Sequence, residues 1–164
     1  MGTKKTSILD KTKEGEKKGL EATDTGAKIE GDGREIKSLL DSIDTSMDED
    51  DVAKVTEANS GYGADFKSAF SEQVETKEAE MEKTEQQAIN DATTERTKVN
   101  AAADKFAQAS GVSDIGRKNA DGGAEKMRSS AEEYDSMQKS AEDIINETKS
   151  RVSSLKSSVS GIFG

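Results

Sequence analysis

The sequence predicts an all-α fold: an elongated antiparallel bundle of three long helices with coiled-coil-like seams, forming a single helical domain over residues 1–164. Three observations carry this. Charged residues make up 35% of the chain and apolar residues 30%, too little core for a sphere but enough for a narrow helical seam. Proline is absent, and long helices exclude proline whereas disordered chains are usually rich in it. Apolar or small residues recur at steps of three and four through most of the length, and the period-two alternation of a strand is missing.

The first helix is expected over roughly 8–59. Its seam reads Ile8, Gly15, Gly19, Ala22, Gly26, Ile29, Gly33, Ile36, Leu40, Ile43, Met47, with steps alternating between four and three from Gly15 onward. Glycine inside a helix costs roughly 0.5–1 kcal/mol relative to alanine. Four of them on one seam have two readings: a backbone that approaches another helix closely, or a weakly helical stretch that frays. On the first reading, Gly15, Gly19 and Gly26 are candidates for a partner interface. Around Ser46-Met47-Asp48-Glu49 the heptad slips, because Val52, Val55 and Asn59 are out of phase with Met47. Ser46 and Glu49 have capping-box spacing, so the helix is expected to break or stutter near 46. Asn59-Ser60-Gly61-Tyr62-Gly63 is the stronger break signal, with two glycines and two turn formers in five residues.

The second helix is expected over roughly 64–110, with Phe66, Phe70, Val74, Met81, Ala88, Ala92, Val99, Ala103 and Phe106 at helical spacing and Ser110-Gly111 as its C-terminal cap. The third is expected over roughly 113–160. Ser113 can cap it, and Asn119-Ala120-Asp121-Gly122-Gly123 is a candidate for an early break or kink. Its seam continues through Gly123, Met127, Ser130, Tyr134, Met137, Ala141, Ile144, Thr148, Val152, Leu155, Val159 and Ile162. The apolar pair Ile162-Phe163 that follows is a second candidate partner surface.

The chain holds two tyrosines and four phenylalanines, and Tyr62, Phe66 and Phe70 fall within ten residues beside Gly61 and Gly63. This segment is expected to turn the chain and anchor the following helix. Its exposure at a bundle tip makes Gly61, Tyr62, Gly63, Phe66 and Phe70 candidate recognition residues.

Composition narrows the function classes. A net charge of −10 argues against nucleic acid and against an anionic membrane surface, since both need a basic stripe. Histidine and cysteine are absent, which removes Ser-His-Asp and Cys-His nucleophile systems and ordinary zinc sites. Asp41, Asp44, Asp48 and Asp51 would share a face of a continuous helix, but they lack the calcium-loop pattern and read as a solvated acidic face. No stretch approaches the roughly 18–20 apolar residues of a membrane span, and no apolar leader follows the N-terminal lysines. No catalytic residue, metal or cofactor is expected, and the chain does not read as an enzyme.

Tyr-Gly-Ala-Asp-Phe-Lys-Ser-Ala-Phe-Ser-Glu-Gln, starting at Tyr62, resembles the glycine-framed aromatic turn of the Trp-x-Gly (WXG) helical-hairpin proteins of bacterial type VII secretion, through Tyr62, Gly63, Phe66 and Phe70. The chain departs from that family in having no tryptophan, and in placing Gln138 four residues after Tyr134 where the family's export signal has an acid. The resemblance implies a non-catalytic helical protein, exported without a cleaved signal peptide, that pairs with a helical partner. The expectation is thus a type VII secretion substrate or export partner, secreted or cytoplasmic, bound to a helical protein or to itself. The alternative is a structural assembly coiled coil of the phage scaffolding or tail-associated kind.

Overall fold

The computed structural model describes residues 2–46, 48–108 and 114–164. Among the described residues the fold is all-helical, with no strand. Helix α1 spans Gly2–Asp41, α2 Glu49–Phe70, α3 Thr76–Gln108 and α4 Asp114–Ile162, and a π-helical turn, Ser71–Glu75, joins α2 to α3 without a break.

The sequence expectation placed the stronger break at 59–63, and here it is corrected. Tyr62 and both flanking glycines lie inside α2, and the chain is out of the helix at 42–46 and at Asp48, where the other expected break fell. Local chemistry explains the site of the break. The last turn of α1 closes with Ser42 N–H donating to the carbonyls of Ser38 (3.1 Å) and Leu39 (3.2 Å), and with Ser42 Oγ donating to Leu39 O at 2.6 Å. The Asp44 carboxylate then accepts from Ser46 N–H at 3.0 Å and Ser46 Oγ at 2.7 Å, a local alternative to helix that holds its carboxyl below the ordinary value. The cap of α2 is Asp48, with extended backbone and its carboxylate accepting from Asp50 N–H at 2.9 Å, so the expected Ser46 box is replaced by an Asp cap two residues on. Glu49, Asp50 and Asp51 in the first turn add favourable charge at the helix N-terminus. Because 42–46 and Asp48 are not helical, the row Asp41, Asp44, Asp48 and Asp51 shares no helix face. Met47 and the expected caps Ser110-Gly111 and Ser113 lie outside the described residues. No break occurs at 119–123, where α4 runs through both glycines.

At 59–63 the helical hydrogen bonds outweigh weak local propensity. Asn59 turns its side chain inward, donating to Val55 O at 3.1 Å while accepting from Lys37 Nζ at 3.0 Å, and so does not cap a new helix. The π turn has a sequence cause as well. Phe66, Phe70 and Val74 are spaced by fours, which overruns a 3.6-residue turn, and one wider turn absorbs the drift while keeping Phe70 and Val74 buried.

Contacts divide the chain into two compact units where the sequence suggested one domain: Met1–Gly15 with Lys83–Ile144, and Glu16–Glu82 with Ile145–Gly164. The first unit is built on small residues. Ala88, Ala92, Ala103, Ala124, Ala131 and Ala141 are buried together with Ile8, Ile89 and Tyr134. Glu85 is also fully buried, and its carboxylate occupies the space at Gly15 where a Cβ would stand. Lys4 reaches Glu95 at 2.8 Å and Lys11 reaches Asp91 at 2.6 Å, so positions rise along α1 as their partners fall along α3. The Lys4–Glu95 contact shifts both of its groups: hydrogen bonding to Glu95 raises Lys4, and hydrogen bonding to Lys4 lowers Glu95.

The second unit carries the larger side chains. Ala22, Ile29, Phe70, Val74, Val152 and Val159 form one buried cluster, with Phe66, Ala69 and Leu155 packed against it. Exposed pairs such as Lys77–Glu21 (3.5 Å), Lys149–Glu82 (2.9 Å) and Lys156–Glu75 (3.0 Å) line its surface. Pairs of this kind select register more than they stabilise.

Candidate functional site

The residues singled out in the sequence fall into two groups, and the structure treats them differently. Gly15, Gly19 and Gly26 are buried, and side chains of the same chain fill the space beside them. Gly19 meets Thr148 Oγ1 and Met81, and Gly26 meets Leu155, Phe70 and Val74, where an added Cβ would stand 2.9 Å from Leu155 Cδ1. Of the two sequence readings, close approach is therefore the one realised, but it is close approach within the chain. These glycines offer no surface to a partner here.

The aromatic segment and the C-terminal apolar pair come together. Phe163 stacks on Phe66 with ring centroids 5.4 Å apart and planes 16° apart, and it lies 6.3 Å from the Tyr62 ring. Its Cβ sits 3.2 Å from where a Cβ on Gly63 would be, and Ile162 Cδ1 makes the same 3.2 Å approach at Gly33. Gly63 and Gly33 thus serve as flat seats for the last residues of the chain rather than as turn formers. Gly61 has open space around it. Phe70 is core, not surface. What remains accessible at this cluster is Tyr62, 40% exposed, with Phe66, Ile162 and Phe163 half-buried.

A groove that the sequence did not single out lies in the first unit, between α3 and α4. It holds about 340 Å³ and is lined by Val99, Ala102, Gly123, Met127 and Ser130, with Lys98 and Lys126 at its edges. Its position follows from where α1 lies. Lys4 and Lys5 of α1 pair with Glu95 on α3 and Glu133 on α4, the latter at 2.5 Å, with Lys5 Nζ also 5.3 Å from the centre of the Tyr134 ring. The groove begins about one turn past Glu95 on α3 and about one turn before Glu133 on α4. There, among the described residues, α3 and α4 face each other with no third helix. Phe106 packs against Gly123 at its end, 3.3 Å from where a Cβ would be, and remains 43% exposed. Ser130 Oγ is buried on the floor with no hydrogen-bond partner among the described residues.

Val99, Met127 and Ser130 all sat in the expected seams. The missing information was which seam residues α1 covers, because a seam residue with a third helix over it and one without look alike in sequence.

Among the described residues no group of His, Cys, Asp or Glu is arranged to hold a metal ion, and no helix is long and apolar enough to cross a membrane. No family model, curated protein or solved structure matches the chain.

Proposed function

We propose that this chain is a non-catalytic helical interaction protein that acts by helix–helix pairing, with its own helices arranged as an antiparallel bundle with coiled-coil-like seams. The observation that carries the function is the open groove between α3 and α4, apolar at Val99, Ala102 and Met127 and wide enough for side chains of one further helix. The opposed numbering of the α1–α3 ion pairs supports the antiparallel arrangement. A methionine on the floor suits a surface that accepts another helix, because its unbranched side chain adapts to the shape presented to it. The lack of histidine and cysteine supports the non-catalytic reading.

A photo-crosslinking amino acid at Val99 in living cells tests it, with the exposed Glu132 as the control position. Protein adducts from position 99 and none from 132 are expected. Silence at 99 would sink the proposal. The export setting implied by the WXG resemblance has less support than the pairing, since the turn that suggested it is helix. Release of the intact chain into culture medium without lysis tests that setting directly. The assembly reading has a specific observation in its favour: three more exposed apolar side chains, Leu39, Ile43 and Val52, lie close in sequence on the same chain.

A further inference from the structure

We propose that the groove receives the Leu39, Ile43 and Val52 segment of a second copy of this chain, so that copies associate through two unlike surfaces. The proposal rests on the groove being a helix-pairing surface, and it names the occupant.

Charge and exposure select that occupant. The groove is apolar along its floor and cationic at its rims, with Lys98 on one side and Lys126 on the other. Lys98 makes only a long contact to Glu95, 3.6 Å, and Lys126 makes no ion pair among the described residues. The segment that fits is apolar at its centre and anionic around it. Leu39 is 63% exposed, Ile43 48% and Val52 45%, and Asp41, Asp44, Asp48, Glu49 and Asp50 surround them in sequence, all exposed. The first two apolar residues sit at the end of α1 and just beyond it, and the third in the first turns of α2.

Other surfaces of the chain fit less well. A groove set against a second groove would bring Lys98 and Lys126 of both copies together, and like charges across an interface are costly. The Tyr62, Phe66 and Phe163 cluster is already stacked on itself. A donor and an acceptor patch that differ from each other form a heterologous contact, which produces rings or open filaments, not a closed pair.

Sedimentation velocity of the full chain between about 1 and 300 µM, the range that detects micromolar to millimolar association, tests the proposal. The sedimentation coefficient should rise continuously with concentration and fall back as salt screens the pairing. Lys98→Glu/Lys126→Glu should weaken association at least about tenfold, and Glu49→Lys/Asp50→Lys should do the same, with helical circular dichroism retained in both. An equimolar mixture of the two double variants should associate again, because each reversed groove then meets a reversed end. A wild-type chain that stays monomeric over this range overturns the proposal, as does association that both double variants leave unchanged. The Val99 crosslink separates this failure from the failure of the pairing surface. An adduct between two copies supports both, an adduct only with a different protein upholds the surface but overturns the second copy, and no adduct overturns both.

Discussion

The two units solve the same packing problem with different side chains. In Glu16–Glu82 with Ile145–Gly164, the buried positions hold Phe70, Val74, Met81, Val152 and Val159, and glycines on α1 give those large groups room. In Met1–Gly15 with Lys83–Ile144, most buried apolar positions are alanines, and the largest fully buried groups are Tyr134, Ile8 and Glu85. Fully burying a large apolar side chain contributes about 1.5–3 kcal/mol, whereas an alanine methyl contributes roughly the worth of one carbon. The second unit therefore carries most of the hydrophobic stabilisation. The first has an alanine-rich core, surface ion pairs and an unfilled groove.

The largest test of this contrast is Phe70→Ala. Removing a fully buried ring from the second unit should cost about 3–5 kcal/mol in urea unfolding followed by circular dichroism. A loss below about 1 kcal/mol would remove the basis for calling that unit the stable one. Gly26→Val comes next. Its new side chain would drive into Leu155 and Phe70, and overpacking of this kind costs about 1–3 kcal/mol. The same denaturation series should show the change as a lower midpoint with an unaltered slope.

Amide hydrogen exchange sharpens the comparison without mutation. Helical amides in 83–108 and 114–144 should exchange at least about tenfold faster than those in 65–82 and 145–160, because local opening follows the density of buried apolar contacts. Equal protection in the two regions would show that the alanine core is as cohesive as the aromatic one.

A smaller effect of opposite sign comes from Gly61→Ala. This glycine lies inside α2 with open space around it, so alanine should raise stability by about 0.5–1 kcal/mol. Were 59–63 a turn, the same change would be neutral or harmful, and thermal unfolding distinguishes the two.

Acid should also separate the units, although modestly, because the groups are exposed and screened. In the first unit, hydrogen bonding to Lys4 lowers Glu95 from 4.5, and hydrogen bonding to Lys139, with help from Arg96, lowers Asp135 from 3.8. Lowered carboxyls contribute stability that is present above their ordinary values and is lost as pH falls through the lowered ones. Glu78 in the second unit runs the other way: burial raises it from 4.5, so its charged form is a penalty above that pH, relieved on acidification. Exchange protection in the first unit should fall between about pH 6 and pH 3 while Glu78→Gln stabilises the second unit only at the upper end of that range. Identical pH profiles for wild type and Glu78→Gln would show that burial of this carboxyl has no energetic consequence.

Particular residues show how much of this could be read in advance. The helical periodicity and the absence of proline marked α1 as helix, the Gly15–Gly33 seam left close approach and fraying both open, and Ile8, Phe70, Val74, Tyr134 and Val152 were legible as core from their spacing. The break near 46 was one of two expected, and 59–63 was ranked above it because Asn59-Ser60-Gly61 and Asp44 through Asp48 carry similar turn chemistry. Only tertiary contacts chose between them: Lys37 engages Asn59, Phe163 covers Gly63 and Tyr62, and nothing comparable holds 42–46 in a helix. The candidate site divided the same way. Tyr62, Phe66, Ile162 and Phe163 were each visible as unusual, yet their meeting depends on a contact between residues nearly one hundred positions apart.

Sequence by itself determined that this chain is helical, because proline, strand alternation and reactive side chains are missing and the three-four spacing is nearly continuous. It also determined which residues face inward, since periodicity fixes the face of a helix whatever it packs against. Tertiary structure decided where the chain leaves the helix, which glycines receive a neighbour's side chain, and which seam residues stay uncovered between α3 and α4. Those outcomes depend on relative helix length and on which residues meet across helices, and such long-range competition leaves no local signature in sequence.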